Sequence, residues 1–217
     1  MSNHPFRPLR HRAVRLIWGA SVVSDIGTWV QLVIIGSLVA RESGSALQTG
    51  AVALATFLPQ GISSPVGGLL ADRYDRRRIF MIGLTGQGLA TSILATALAL
   101  GVRNPGTIVL IILCGSSMGA LCAPAYSSMV PDLVPPDELM QMVSLGILSW
   151  NSGRVIGPLI GTLLAATAGP AWSIGFNAVT FLGLALAVYL VRLPFPPDPN
   201  ADRGTVAQRL AVGWRAM

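Results

Sequence analysis

The stretch Gly67–Phe80, GGLLADRYDRRRIF, decides how the rest of the chain is read. An apolar run ends at Asp72, four arginines and Asp75 crowd into residues 73–78, and apolar sequence resumes at Ile79. Charge this dense between two apolar runs fits a short loop joining two membrane-crossing helices, held on one side of the bilayer by its arginines.

Composition agrees. Hydrophobic residues make up 52% of the 217 residues and charged ones 11%, and mean hydropathy is +0.63. A soluble domain carries about 25% charged residues, and a chain with so few could not cover its own surface. An integral membrane protein follows. The net charge of +6 comes from fifteen basic residues, all arginine, in short clusters between apolar runs. No basic stripe is interleaved with aromatics, so nucleic acid is not an expected partner. Cys114 and Cys122 are eight residues apart in one apolar segment, about 12 Å along a helix, too far for a disulfide. The only histidines, His4 and His11, lie in the polar N-terminal segment. That excludes intramembrane HExxH zinc sites and Ser–His dyads. No enzymatic activity, metal or cofactor is expected.

A crossing helix needs about 20 apolar residues, and six candidates span roughly 13–40, 46–71, 79–101, 106–130, 139–168 and 171–192. The first is too long for a signal-peptide core and carries Asp25 in its middle, so a retained helix is expected. If six helices alternate, twelve arginines share one side, in the N-terminal arm, the 73–78 loop and after the sixth helix. Only Arg41 and Arg103 lie opposite. That asymmetry puts both termini in the cytoplasm of a multi-pass protein of the inner or plasma membrane. The expected domains are a cytoplasmic arm (1–12), a six-helix transmembrane domain (13–192) and a cytoplasmic segment (193–217). The last opens with the proline-rich Pro194–Pro199, and Val206, Leu210 and Trp214 at i, i+4 and i+8 then suggest an amphipathic interfacial helix.

The second and fifth helices share a Pro-x-x-Gly, Pro65 to Gly68 and Pro158 to Gly161. These are the middle members of two three-helix sets, as an inverted 3+3 repeat would produce.

Asp25 and Arg154 are the charges placed deepest. An ionisable group at such a depth costs about 2.5–3.5 kcal/mol and normally pairs or faces a watery cavity. A cross-helix ion pair is expected, with Asn151 one turn from Arg154. Two roles stay open for it, a proton- or substrate-responsive site and a structural pair that locks packing. Thr28, Trp29 and Gln31, and Phe57, Pro59, Gln60 and Ser63-Ser64, could line a cavity, or touch lipid or a neighbouring helix. Gly115-x-x-x-Gly119 in the fourth helix reads as close packing. Gly153, Gly157 and Gly161 in the fifth enclose Pro158, which leaves a hinge and plain packing both open.

With these residues assembled, the opening stretch resembles the loop between helices two and three of major facilitator superfamily transporters. The pattern, roughly G-x-L-x-D-R-x-G-R-R, is matched by Gly67 or Gly68, Leu69, Asp72, Arg73, Arg76 and Arg77, with Asp75 in place of its glycine. The D-R-x-D-R-R-R form, the linker PDLVPPDEL and the following N-x-x-R-x-x-G-P resemble the drug and siderophore exporter branch known as transmembrane secretion effectors. Arg154–Gly161 is similar to the G-P-x-x-G-G antiporter signature, with Thr162 in place of the last glycine. The fourth helix, ILCGSSMGALCAP, lacks the arginine that many proton-coupled exporters carry there.

The resemblance implies an all-α membrane protein of six transmembrane helices, the amino-terminal half of a major facilitator fold. It implies secondary efflux of a small organic solute, drug- or siderophore-like, driven by protons through alternating access. Asp25, Arg154, Asn151 and Gln31 would lie on the proton or substrate pathway. Gly68, Asp72, Arg73, Arg76 and Arg77 would form a cytoplasmic gate loop, partly through contacts with a second half. Expected partners are membrane lipid, the solute, protons, and a second six-helix half or a second copy. The alternative is a truncated or split half-transporter, or a membrane scaffold or assembly partner, that does not transport alone.

Overall fold

The computed structural model describes residues 4–191, and within them not the side chains of residues 63–66, 69, 71 and 72. The proline-rich segment and amphipathic helix expected after residue 193 lie outside the described residues. Six long helices follow one another: α1 (Arg12–Ser43), α2 (Ala46–Arg73), α3 (Arg76–Ala99), α4 (Pro105–Met129), α5 (Leu139–Thr167) and α6 (Pro170–Leu190). Short 3-10 turns occupy Arg7–Arg10, Val130–Asp132 and Pro136–Glu138.

The helix ends have local causes. Gly44 takes a left-handed conformation (φ 59°) and stops α1, which only glycine does without strain. The α3 helix starts at Arg76, three residues before the expected 79, because the Asp75 carboxylate accepts the Arg78 amide at 2.8 Å. Asp75, which stands where the resembled loop pattern has glycine, is therefore the N-cap of α3. Asn104 caps α4 through the Thr107 amide at 3.1 Å. Pro170 takes the first position of α6, where its missing N–H costs nothing.

The main helix packings are α2 on α4, α4 on α3, α3 on α6, α6 on α1 and α1 on α5. Two apolar clusters result. One, at the arginine-rich end, includes Val14, Ile17, Phe80, Met129, Leu133 and Met142. The other, at the far end, includes Ile35, Val39, Val52, Leu94, Leu98 and Ile108. Between them lies a layer of buried polar residues, Ser24, Thr91, Ser149, Asn177 and Thr180. Large apolar side chains also cover the outside, among them Ile62, Ile82, Leu110, Leu159, Val179 and Leu186. A bundle that is greasy outside and polar at mid-height has lipid as its natural solvent.

Among the described residues, four helices are both long and apolar enough to cross a membrane: α1, α3, α4 with its following turn, and α6. The α5 helix, 29 residues long, carries Asn151 and Arg154 near its middle.

Candidate transport cavity

The polar layer surrounds a cavity of about 480 Å³, lined by residues of all six helices. Its floor is one face of α1. Trp18, Ser21, Asp25, Thr28, Leu32 and Ile35 recur at spacings of three and four, the helical period. Across from it, Gly115, Gly119 and Ala123 of α4 leave the space that larger side chains would fill. Those two glycines also seat α3. A Cβ on Gly115 would lie 3.1 Å from the Ala90 methyl, and one on Gly119 2.6 Å from the Gln87 amide, so the expected close packing is present.

Asp25 sits midway along α1. Its carboxylate accepts a hydrogen bond from the Ser149 hydroxyl of α5. Below it, the Trp18 indole N–H donates to the Leu145 carbonyl at 2.8 Å. Above it, Asn177 of α6 donates to Gln31 Oε1 at 2.8 Å, and Thr180 donates to Asn177 Oδ1 at 3.1 Å. These bonds tie α1 to α5 and α6 at three heights.

The glycines of α5 set this geometry. A Cβ on Gly153 would stand 2.7 Å from the Asp25 carbonyl carbon, and one on Gly157 2.5 Å from Trp29 Cβ. Helices this close carry Ser149, one turn before Gly153, to the Asp25 carboxylate. Gly161 meets Val30 at an ordinary 3.4 Å. Pro158 lies within the continuous helix α5.

Several sequence expectations are redistributed. Among the described residues no ion pair joins Asp25 to Arg154, contrary to the cross-helix pair expected from their depth. Depth along two helices does not fix the face each residue takes. The Gly153 and Gly157 contacts turn Arg154 outward, where it is exposed, with its guanidinium carbon 5.8 Å from the centre of the Trp29 ring. Trp29 in turn stacks at a tilt on Trp150, centroids 5.4 Å apart. Asn151 is also exposed and donates to Ile147 of its own helix at 2.8 Å. Of the tracts read as possible lining, Thr28, Gln31 and Gln60 line the cavity. Trp29 turns to α5, Phe57 is exposed and Pro59 is buried.

The loop arginines act inside this bundle. Arg76 donates to the Ser128 carbonyl at the end of α4 at 2.9 Å and lies 3.8 Å from Asp132. Arg77 donates to the Val188 carbonyl near the end of α6 at 3.0 Å and also to that of Tyr189. Cations on terminal carbonyls complement helix dipoles. Arg73 is exposed beside the Tyr74 ring, and Arg78 is exposed. The close helix approach belongs to Gly67, whose Cβ would fall 2.5 Å from the Leu121 carbonyl oxygen, while Gly68 faces open space. The side chain of Asp72 lies outside the described residues.

Sequence reasoning missed a clasp at the same end. Glu138, fully buried, meets Arg7 at 3.0 Å, Arg10 at 2.6 Å and His11 at 3.1 Å, and Arg7 also reaches Asp137 at 3.2 Å. It also missed Ser149 and Asn177, polar residues on the faces of α5 and α6 that meet α1.

Comparison with known proteins covers nearly the whole chain. A family model described as transmembrane secretion effector matches residues 3–216. Curated relatives named "Enterobactin exporter EntS" are 31% identical over 208 residues in Shigella boydii serotype 18 and 30% identical over 193 residues in Salmonella paratyphi A. The aligned regions cover 95% and 88% of this chain, and 49% and 47% of those relatives. The chain spans about half the length of the curated relatives it matches.

Proposed function

The chain belongs to the transmembrane secretion effector family, and from that membership we propose that it works in proton-coupled efflux of a small organic solute by alternating access. The mid-height cavity with Asp25 on its floor carries this reading. A carboxylate inside a membrane bundle, facing a space large enough for a solute, is where a proton and a substrate can compete. The relatives' name makes a siderophore one candidate substrate beside drug-like solutes. Six crossing helices are part of the proposal, α2 and α5 included, as residues 13–192 of a multi-pass inner-membrane protein. Residues 1–12 and 193–217 then lie in the cytoplasm.

The packing order supports an inverted repeat. Exchanging α1 with α4, α2 with α5 and α3 with α6 turns the α2–α4 pair into α5–α1 and the α3–α4 pair into α6–α1, and leaves α3–α6 unchanged. Both α2–α4 and α5–α1 are close-packed through glycine, Gly67 in one and Gly153 and Gly157 in the other.

The relatives' length and the open face of α5 favour a second reading of how the chain acts. Arg154 and Asn151 are exposed near the middle of α5, and an arginine facing lipid at that depth costs about 2.5–3.5 kcal/mol. A protein cover removes that cost, so this face suits a second six-helix segment or a second copy. Arg73 is left exposed for the gate role at the cytoplasmic end, Arg78 serves as a topology anchor, and Arg76 and Arg77 brace the helices around the gate.

Reconstitution in proteoliposomes under an imposed pH gradient tests the proposal. Gradient-driven solute movement is expected for the wild type and absent for Asp25→Asn. An unchanged pH dependence in that variant removes Asp25 from the coupling. Transport that requires an added second segment identifies the chain as one half of the working unit.

A further inference from the structure

Gln31 lines the cavity with one end of its amide already taken. Asn177 of α6, 1% exposed, donates from its side-chain nitrogen to Gln31 Oε1 at 2.8 Å, and its own Oδ1 accepts from the Thr180 hydroxyl at 3.1 Å. Thr180 is buried one turn further along the same helix. Its hydroxyl holds the oxygen of Asn177 on the α6 side and so turns the nitrogen to Gln31. A primary amide has one acceptor end and one donor end. With its oxygen bonded to Asn177, Gln31 points its nitrogen away from α6, and among the described residues that nitrogen has no hydrogen-bond partner.

Gly27 is what lets these amides fit. It lies one turn before Gln31 on α1, and a Cβ there would overlap Asn177 Oδ1 and stand 2.7 Å from Thr180 Oγ1. The backbone is thus cleared for a polar side chain between two helices that apolar residues could hold together as well. A buried amide costs free energy unless it is bonded. Here the bonded chain runs from Thr180 through Asn177 to Gln31, and its open end is in the cavity.

We infer that Gln31 sets the hydrogen-bond specificity of the cavity, held so that its N–H groups donate to an oxygen acceptor on the solute, such as a carbonyl or phosphoryl oxygen. Asn177 and Thr180 are positioning residues that act through Gln31. The inference rests on the reading of this cavity as a solute site. A solute that brings such an oxygen is favoured over one of the same shape without it by about two- to tenfold for each hydrogen bond.

The test uses the full chain in nanodiscs and three flat, neutral probes of one shape. Fluorenone only accepts a hydrogen bond, carbazole only donates one, and fluorene does neither. Binding is measured by equilibrium dialysis, and each Kd is referred to that probe's partition into protein-free nanodiscs, which removes differences in hydrophobicity. Fluorenone is expected to bind about two- to tenfold tighter than fluorene, and to lose that advantage in Gln31→Met. Thr180→Val keeps the side-chain shape but not the hydroxyl, so both amides are free to turn. In that variant fluorenone should weaken, carbazole should tighten as Gln31 Oε1 comes round, and fluorene should stay as in the wild type. A merely structural role for Thr180 would move all three together and overturns the positioning. Equal binding of fluorenone and fluorene to the wild type, or a fluorenone advantage that survives Gln31→Met, overturns the inference and leaves the cavity as a solute site. If none of the three binds above protein-free nanodiscs, the cavity reading fails as well.

Discussion

Replacing Gly153 by alanine turns the α1–α5 contact into a question of sign. Alanine in a helix interior is favoured over glycine by about 1 kcal/mol, so a glycine without a steric duty should gain stability when replaced. At Gly153 the new methyl would lie 2.7 Å from the Asp25 carbonyl carbon, 2.8 Å from its oxygen and 3.0 Å from its Cβ. Comfortable carbon contacts need about 3.5–4.0 Å, and main-chain atoms cannot rotate aside. The helices must part by several tenths of an ångström, and overpacking of that kind costs about 1–3 kcal/mol. The expected net change is a loss of up to about 2 kcal/mol, with Ser149 drawn away from Asp25. Gly146 of the same helix has no atom within 4 Å of its Cβ position, and Gly161 meets only ordinary contacts from 3.4 Å. Both should gain up to about 1 kcal/mol. Unfolding of the four proteins in mixed micelles, titrated with dodecyl sulfate and followed by tryptophan fluorescence, gives the order. If Gly153→Ala shifts the midpoint in the same direction as Gly146→Ala, the close contact does not exist and the account of how Ser149 reaches Asp25 fails.

Glu138→Gln should release the N-terminal arm. Arg7 and Arg10 are 27% and 54% exposed against a fully buried carboxylate, so solvent screening limits the loss to about 1–2 kcal/mol. Faster tryptic cleavage at Arg10 and Arg12 reports the release, and an unchanged rate would count against the clasp. Arg77→Ala should lower the unfolding midpoint through its two lost bonds to α6 carbonyls, by about 1–3 kcal/mol. Arg78→Ala, one residue on but exposed, should stay within about 0.5 kcal/mol of wild type. Equal effects would mean that the arginines act only through their charge.

The sequence announced what depends on one-dimensional patterns. Six apolar runs became six long helices, because hydropathy and turn residues report helix extent without reference to neighbours. Asp25 and Gln31 could be picked out because polar residues in an apolar run are conspicuous. Facing was harder to read. Arg154 looked like the partner of Asp25 by depth, but a shift of one residue rotates a side chain by about 100°. The glycines that fix the rotation act through contacts between helices distant in the chain. Ser149 and Asn177 carried no signal, since serine and asparagine are ordinary in such helices. The clasp at Glu138 joins residues more than a hundred positions apart, which no local motif encodes.

The partners of α1 have a consequence for how the protein is made. The bonds that seat its polar face come from far along the chain: Trp18 with Leu145, Asp25 with Ser149, and Gln31 with Asn177, separated by 127, 124 and 146 positions. At ordinary synthesis rates of about 5–20 residues per second, α1 waits roughly 6–25 s for Ser149 to emerge. During that interval its carboxylate has neither its hydroxyl partner nor the cavity around it. Helices α2, α3 and α4 can meanwhile pair among themselves, α2 with α4 and α4 with α3. The nascent protein therefore has a vulnerable period, in which an insertion factor that shields one polar helix would matter most. That period ends only when α5 and α6 have been synthesised, and the N-terminal arm then closes over Glu138 at the start of α5.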